Sequence, residues 1–138
     1  MVQSNFQKGI GFVLKWEGGY INDPRDPGKE SNFGISKKAY PDLDIKSLAV
    51  EEAKEIYYSD YWLKAGCDYL PRPLDLVVLD TAANCGVSQA LDFLRISHRP
   101  IDYLFLRLKF YADLKRPEFM RGWVLRVVDL WNAIKGEI

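Results

Sequence analysis

Apolar positions along this chain fall into a helical rhythm that breaks at glycines and prolines. Phe6, Ile10, Val13 and Leu14 recur at three- and four-residue spacing, which predicts a helix over Ser4–Glu17. Gly18-Gly19 follows its last turn, where helices commonly stop. From Tyr20 to Ser36 the rhythm is lost. Two short apolar pieces, Tyr20-Ile21 and Phe33-Gly34-Ile35, are separated by proline and glycine turn signals, so a loop with a small irregular β-hairpin is predicted. Ser36–Tyr40 is predicted as a short helix closed by Pro41. Val50–Trp62 is predicted as a longer one, with Ala53, Ile56, Tyr57 and Tyr61 on one side and charges on the other.

After a proline-bearing connection over Cys67–Pro73, Leu74–Cys85 is apolar on nearly every side, as a buried helix is. Gly86 interrupts it and Val87–Arg95 resumes the pattern. Pro100 suits the first turn of a helix carrying Ile101, Leu104, Phe105, Leu108 and Tyr111. Pro117 opens the last, with Met120, Trp123, Val124, Val127, Leu130 and Ile134 on its face. No repeat, low-complexity tract or linker intervenes. The expected class is α+β and mostly α-helical, a single domain over residues 1–138 with one small β-hairpin or loop flap.

Bulk composition narrows the function classes. With 138 residues, 48% hydrophobic and 28% charged, the chain is long and apolar enough for a real core. Its 19 basic and 19 acidic residues cancel, so no global positive field draws it to nucleic acid or an anionic membrane. A local basic patch of Arg116, Arg121 and Arg126 is the expected contact for an anionic polymer. Two cysteines, Cys67 and Cys85, and a lone His98 have no metal-ligand spacing, so no metal or cofactor is expected, and the cysteines are expected as free thiols. No segment reaches the roughly 18 consecutive apolar residues of a membrane span. The apolar run Gly9–Leu14 is too short for a secretory signal core, so synthesis in the cytoplasm without a signal peptide is expected.

Glu17 is the main candidate for chemistry. Hydrolysis of a glycoside needs one carboxylic acid to protonate the leaving oxygen and usually a second carboxylate. At the end of a helix Glu17 faces the negative pole of the macrodipole, beside Trp16 and Tyr20, and both surroundings favour the protonated form a general acid requires. On residue chemistry alone a solvated helix end is the commoner reading of such a glutamate. Asp26, nine positions on (26 − 17), and Asp23, six on (23 − 17), are rival second carboxylates, and either also suits a plain Asp-Pro turn. Ser31 and Asn32 are candidates to orient water or hold a sugar, as are Tyr20 and Asn84. Asp80, Thr81 and Asn84 interrupt an apolar helix and need polar partners.

Glu17-Gly18-Gly19-Tyr20, Asp26-Pro27-Gly28, Asn32-Phe33-Gly34-Ile35, Tyr61-Trp62, Leu79-Asp80-Thr81-Ala82-Ala83-Asn84 and Gly122-Trp123 stand in the same order as in glycoside hydrolase family 108, which the chain resembles. That family comprises lysozyme-like N-acetylmuramidases, many of them phage endolysins. The resemblance implies a lysozyme-like fold and cleavage of the β-1,4 bond between N-acetylmuramic acid and N-acetylglucosamine in peptidoglycan glycan strands. It also implies that Glu17 is the catalytic acid, and the Glu17–Asp26 spacing is similar to that of phage lysozymes. Action on the cell wall, in the periplasm, would then require release through a holin or a secretion system. A lytic transglycosylase and a non-catalytic peptidoglycan-binding or phage structural module are the alternatives.

Overall fold

The computed structural model describes residues 4–23 and 30–138. Asp26, one of the two rival carboxylates, lies outside the described residues. The observed class is the expected one, mostly helical with a two-stranded antiparallel sheet. Two compact units divide the chain at residues 60 and 61.

The first unit begins with α1, Ser4–Glu17, whose buried positions Phe6, Gly9, Ile10 and Val13 repeat at helical spacing. Gly18 ends it. The Gly18 amide still bonds to the Leu14 carbonyl at 3.1 Å, but its φ of +76° turns the chain out of the helix, a conformation glycine adopts at no steric cost. Strands β1, Ser31–Asn32, and β2, Ile35–Ser36, pair Ser31 with Ser36 and Asn32 with Ile35. Ile21 widens the ladder, exchanging both backbone bonds with Ser31 at 2.8 and 2.9 Å.

Helix α2, Val50–Tyr57, starts where the Glu52 carboxylate accepts the Ala49 amide at 3.0 Å. It buries Ala53 and Tyr57. Beside α1, the Phe6 and Tyr58 rings meet edge to face at 5.2 Å.

Two elements differ from expectation. Ser36 is drawn into β2 by its pairing with Ser31, leaving only a turn after it. The Ser36 hydroxyl accepts the Ala39 amide and its carbonyl accepts the Tyr40 amide, and Pro41 allows nothing longer. The helix predicted to run unbroken to Trp62 stops being α-helical at Tyr57. It continues as a π-helical turn, Tyr58–Trp62, where the Ser59 hydroxyl donates to the Glu55 carbonyl at 3.1 Å. The Tyr58 amide shares that carbonyl.

The second unit is built around α3, Leu74–Cys85, which buries nine consecutive residues from Leu74 to Ala82. Before it comes a 3-10 turn, Cys67–Tyr69, where the Asp68 carboxylate accepts the Trp62 indole N–H at 2.7 Å. Helices α4, Val87–Ile96, and α5, Pro100–Leu114, pack on α3, and α6, Pro117–Ile134, packs on α5. Pro100 and Pro117 both occupy first turns, as expected. Both cysteines are free thiols, and His98 is exposed in the turn between α4 and α5. Among the described residues, no helix is long and apolar enough to cross a membrane.

Candidate active site

The site in the first unit is a helix end covered by a hairpin turn. Phe33 and Gly34 join β1 to β2 with φ of +53° and +80°. Positive φ at both central residues defines the tight hairpin turn whose twist suits two short strands. Glycine takes this conformation freely, whereas for Phe33 it costs about 1 kcal/mol. The Tyr57 hydroxyl, brought in by α2, donates to the Phe33 carbonyl at 2.7 Å and holds the turn at its strained residue.

Glu17 lies directly under this turn. A Cβ on Gly34 would stand 2.6 Å from Glu17 Oε1 and 2.9 Å from Glu17 Cβ, and it would collide with the Tyr57 hydroxyl as well. Only a residue without a side chain lets the backbone come so close. The half-buried Glu17 therefore has its carboxyl group set against the Gly34 backbone and near the Tyr57 hydroxyl. Three separate elements, α1, the hairpin and α2, meet at one carboxyl.

The other sequence candidates divide. Ser31 sits in β1, half-buried, next to the turn, with its backbone committed to Ile21. Tyr20 is on the exposed rim, where its hydroxyl donates to Glu30 Oε2 at 2.6 Å. That bond keeps the proton on Tyr20 and raises its pKa above the usual tyrosine value. Together with the Ile21–Ser31 bridge, it ties the two ends of the loop between residues 21 and 31. Asp23, at the start of that loop, is half-buried.

Asn32 has a structural task. It is 6% exposed, and its side-chain nitrogen donates to the carbonyls of Ile45 and Leu48 at 3.1 and 3.5 Å. A hairpin this short cannot bury its own polar groups, and Asn32 anchors it to the following loop instead.

Asn84 belongs to the second unit, where its carbonyl accepts the Tyr111 hydroxyl and joins α3 to α5. It extends a buried polar network around Asp80. Asp80 is fully buried, with Arg126 Nη2 at 2.7 Å from Oδ1 and Arg107 Nη2 at 2.9 Å from Oδ2. Arg107 also donates to Thr81 and Tyr111 at 3.0 and 2.7 Å. One carboxylate thus fastens α5 and α6 to α3.

Arg126 is consequently no part of a surface basic patch. It is 4% exposed and turned inward onto Asp80, because a buried carboxylate needs a cation more than the solvent-facing side of α6 does. Arg107 was not singled out in the sequence. Its one signal was a charged residue on the apolar face of a helix.

A half-buried carboxyl is thus set at a helix end against a glycine turn and near a tyrosine, in a small mostly helical α+β fold. The family model described as Glycosyl hydrolase 108 matches residues 10–86, and the chain belongs to this family. The match takes in α1 from Ile10 onward, the hairpin, α2 and α3, and stops short of the Gly122-Trp123 segment. A solved structure of SagA from Brucella abortus is 26% identical over 94% of this chain and 93% of its own, with a TM-score of 0.82. No curated protein matches the sequence. The chain is therefore placed among glycoside hydrolases, and its substrate is a glycan.

Proposed function

We propose that this glycoside hydrolase is an N-acetylmuramidase, cutting the β-1,4 bond between N-acetylmuramic acid and N-acetylglucosamine in peptidoglycan. The observation that carries the reading is the seating of Glu17 under the Phe33–Gly34 turn. A carboxyl held there at a helix end has a fixed direction, and a fixed direction is what proton delivery to a glycosidic oxygen demands.

In the proposed reaction Glu17 gives its proton to the leaving oxygen as the glycosidic bond breaks. Positive charge develops on the sugar ring, and Asp26 stabilises it or activates the water that completes hydrolysis. The separation of the two carboxyl groups decides between retention and inversion. Ser31 and Tyr20 line the approach to the bond. The protein would act on the cell wall after release from the cytoplasm.

The test is muropeptide release from purified sacculi by wild type and Glu17→Gln, with products read by mass spectrometry. Reducing-end muropeptides from wild type alone are expected. Products ending in 1,6-anhydromuramic acid would replace the muramidase with a lytic transglycosylase. Sacculus binding without release by the folded wild type would replace it with a binding module.

A further inference from the structure

We infer that Tyr57, acting through the Phe33–Gly34 turn, is a positioning residue for the Glu17 carboxyl. The inference rests on Glu17 being the proton donor. Tyr57 is 1% exposed and α2 fixes its ring. Its hydroxyl donates to the carbonyl of Phe33, the residue that holds φ +53° against its own side chain. Left to itself, an Asn32-Phe33-Gly34-Ile35 segment does not favour this turn, because hairpin turns of this kind prefer asparagine or glycine at the first central position. The Tyr57 hydroxyl supplies what the local sequence lacks.

Gly34, next in the turn, lies against Glu17. A turn that relaxed at Phe33 would swing Gly34 off the carboxyl and widen the range of directions in which Glu17 could point. Tyr57 thus governs where the proton goes without touching the sugar.

The test uses soluble uncrosslinked glycan strands and compares kcat and KM for wild type, Glu17→Gln, Tyr57→Phe and Gly34→Ala. Melting curves confirm that each is folded at the assay temperature. Tyr57→Phe is expected to lose about tenfold in kcat with KM within about twofold, since misdirecting a catalytic group affects the chemical step more than binding. Adding Phe33→Asn to Tyr57→Phe creates an Asn-Gly turn that needs no hydroxyl, and is expected to restore most of kcat.

Wild-type kcat in Tyr57→Phe overturns the inference, as does a double variant no faster than the single one. Should Tyr57→Phe fail to fold, Gly34→Ala decides, because full kcat there means the turn does not hold the carboxyl. An inactive wild type or an active Glu17→Gln removes the proton donor itself. The positioning role alone fails if Glu17→Gln is dead while Tyr57→Phe is unimpaired.

Discussion

Glu17 and Asp80 are both acidic side chains on helices, and their surroundings could hardly differ more. Asp80 is fully buried, with a guanidinium on each side. Glu17 is half-buried at a helix end, seated against the backbone of a glycine turn. A carboxylate answered by two buried arginines is committed to holding helices together. Its charge is neutralised, its oxygens are occupied and it has no room for a ligand. A carboxyl pressed against a turn keeps a face to solvent, and only such a group can exchange a proton with something that comes and goes.

The contrast is tested most severely by exchanging each acid for its amide. Glu17→Gln keeps shape and hydrogen bonding but cannot donate the acid's proton, so it should lower glycan cleavage by about 10³-fold or more with an unchanged melting curve. Asp80→Asn should do the reverse. Two buried arginines then lose their counter-charge, and stability falls by about 3–5 kcal/mol, read by urea or thermal unfolding. An Asp80→Asn protein as stable as wild type would show that the network is not what ties α3, α5 and α6.

Gly34→Ala comes next. Its Cβ must displace Glu17 or open the turn, and φ +80° is strained for any side chain, so about a hundredfold loss in kcat is expected. Asp75 gives a smaller effect that sharpens the comparison from a third carboxyl. Its Oδ1 accepts the Leu76 amide at 2.7 Å, whereas its buried Oδ2 has no hydrogen-bond partner among the described residues. Burial pushes this carboxyl above the usual aspartate range.

With its folded pKa raised, Asp75 favours the native state when protonated, and that contribution is lost as pH rises through the folded value. Asp75→Asn should therefore stabilise the protein by about 1 kcal/mol at pH 7, with the gain vanishing below about pH 4. Denaturation at both pH values checks it. A gain of equal size at both would exclude ionisation as the cause.

Much of the helical frame was readable because its signals are local. Pro100 and Pro117 mark first turns, Gly18 and Gly86 mark breaks, and the unbroken apolar run of α3 announces its burial. The helix end at Glu17 was also legible, from the two glycines that follow it. What was hidden depends on contacts between distant residues.

Tyr57 looked like one more aromatic on a helix face, and nothing nearby in sequence shows that its hydroxyl reaches Phe33, 24 residues back. The anchoring task of Asn32 was hidden for the same reason. A polar residue beside a proposed site suggests a sugar contact until its amide is found on Ile45 and Leu48. Arg126 seemed to join Arg116 and Arg121 on the surface, because one-dimensional spacing cannot say which arginine finds a buried carboxylate 46 residues away.

The burial of the Asp80 network also bears on the ionic conditions the second unit tolerates. Salt weakens attraction between exposed charges, with a screening length of about 3 Å at 1 M, so the exposed Lys109–Asp113 pair on α5 fades as salt is added. Mobile ions cannot enter the space around Asp80, Arg107 and Arg126. Salt therefore weakens their mutual hold far less than it weakens the exposed pair.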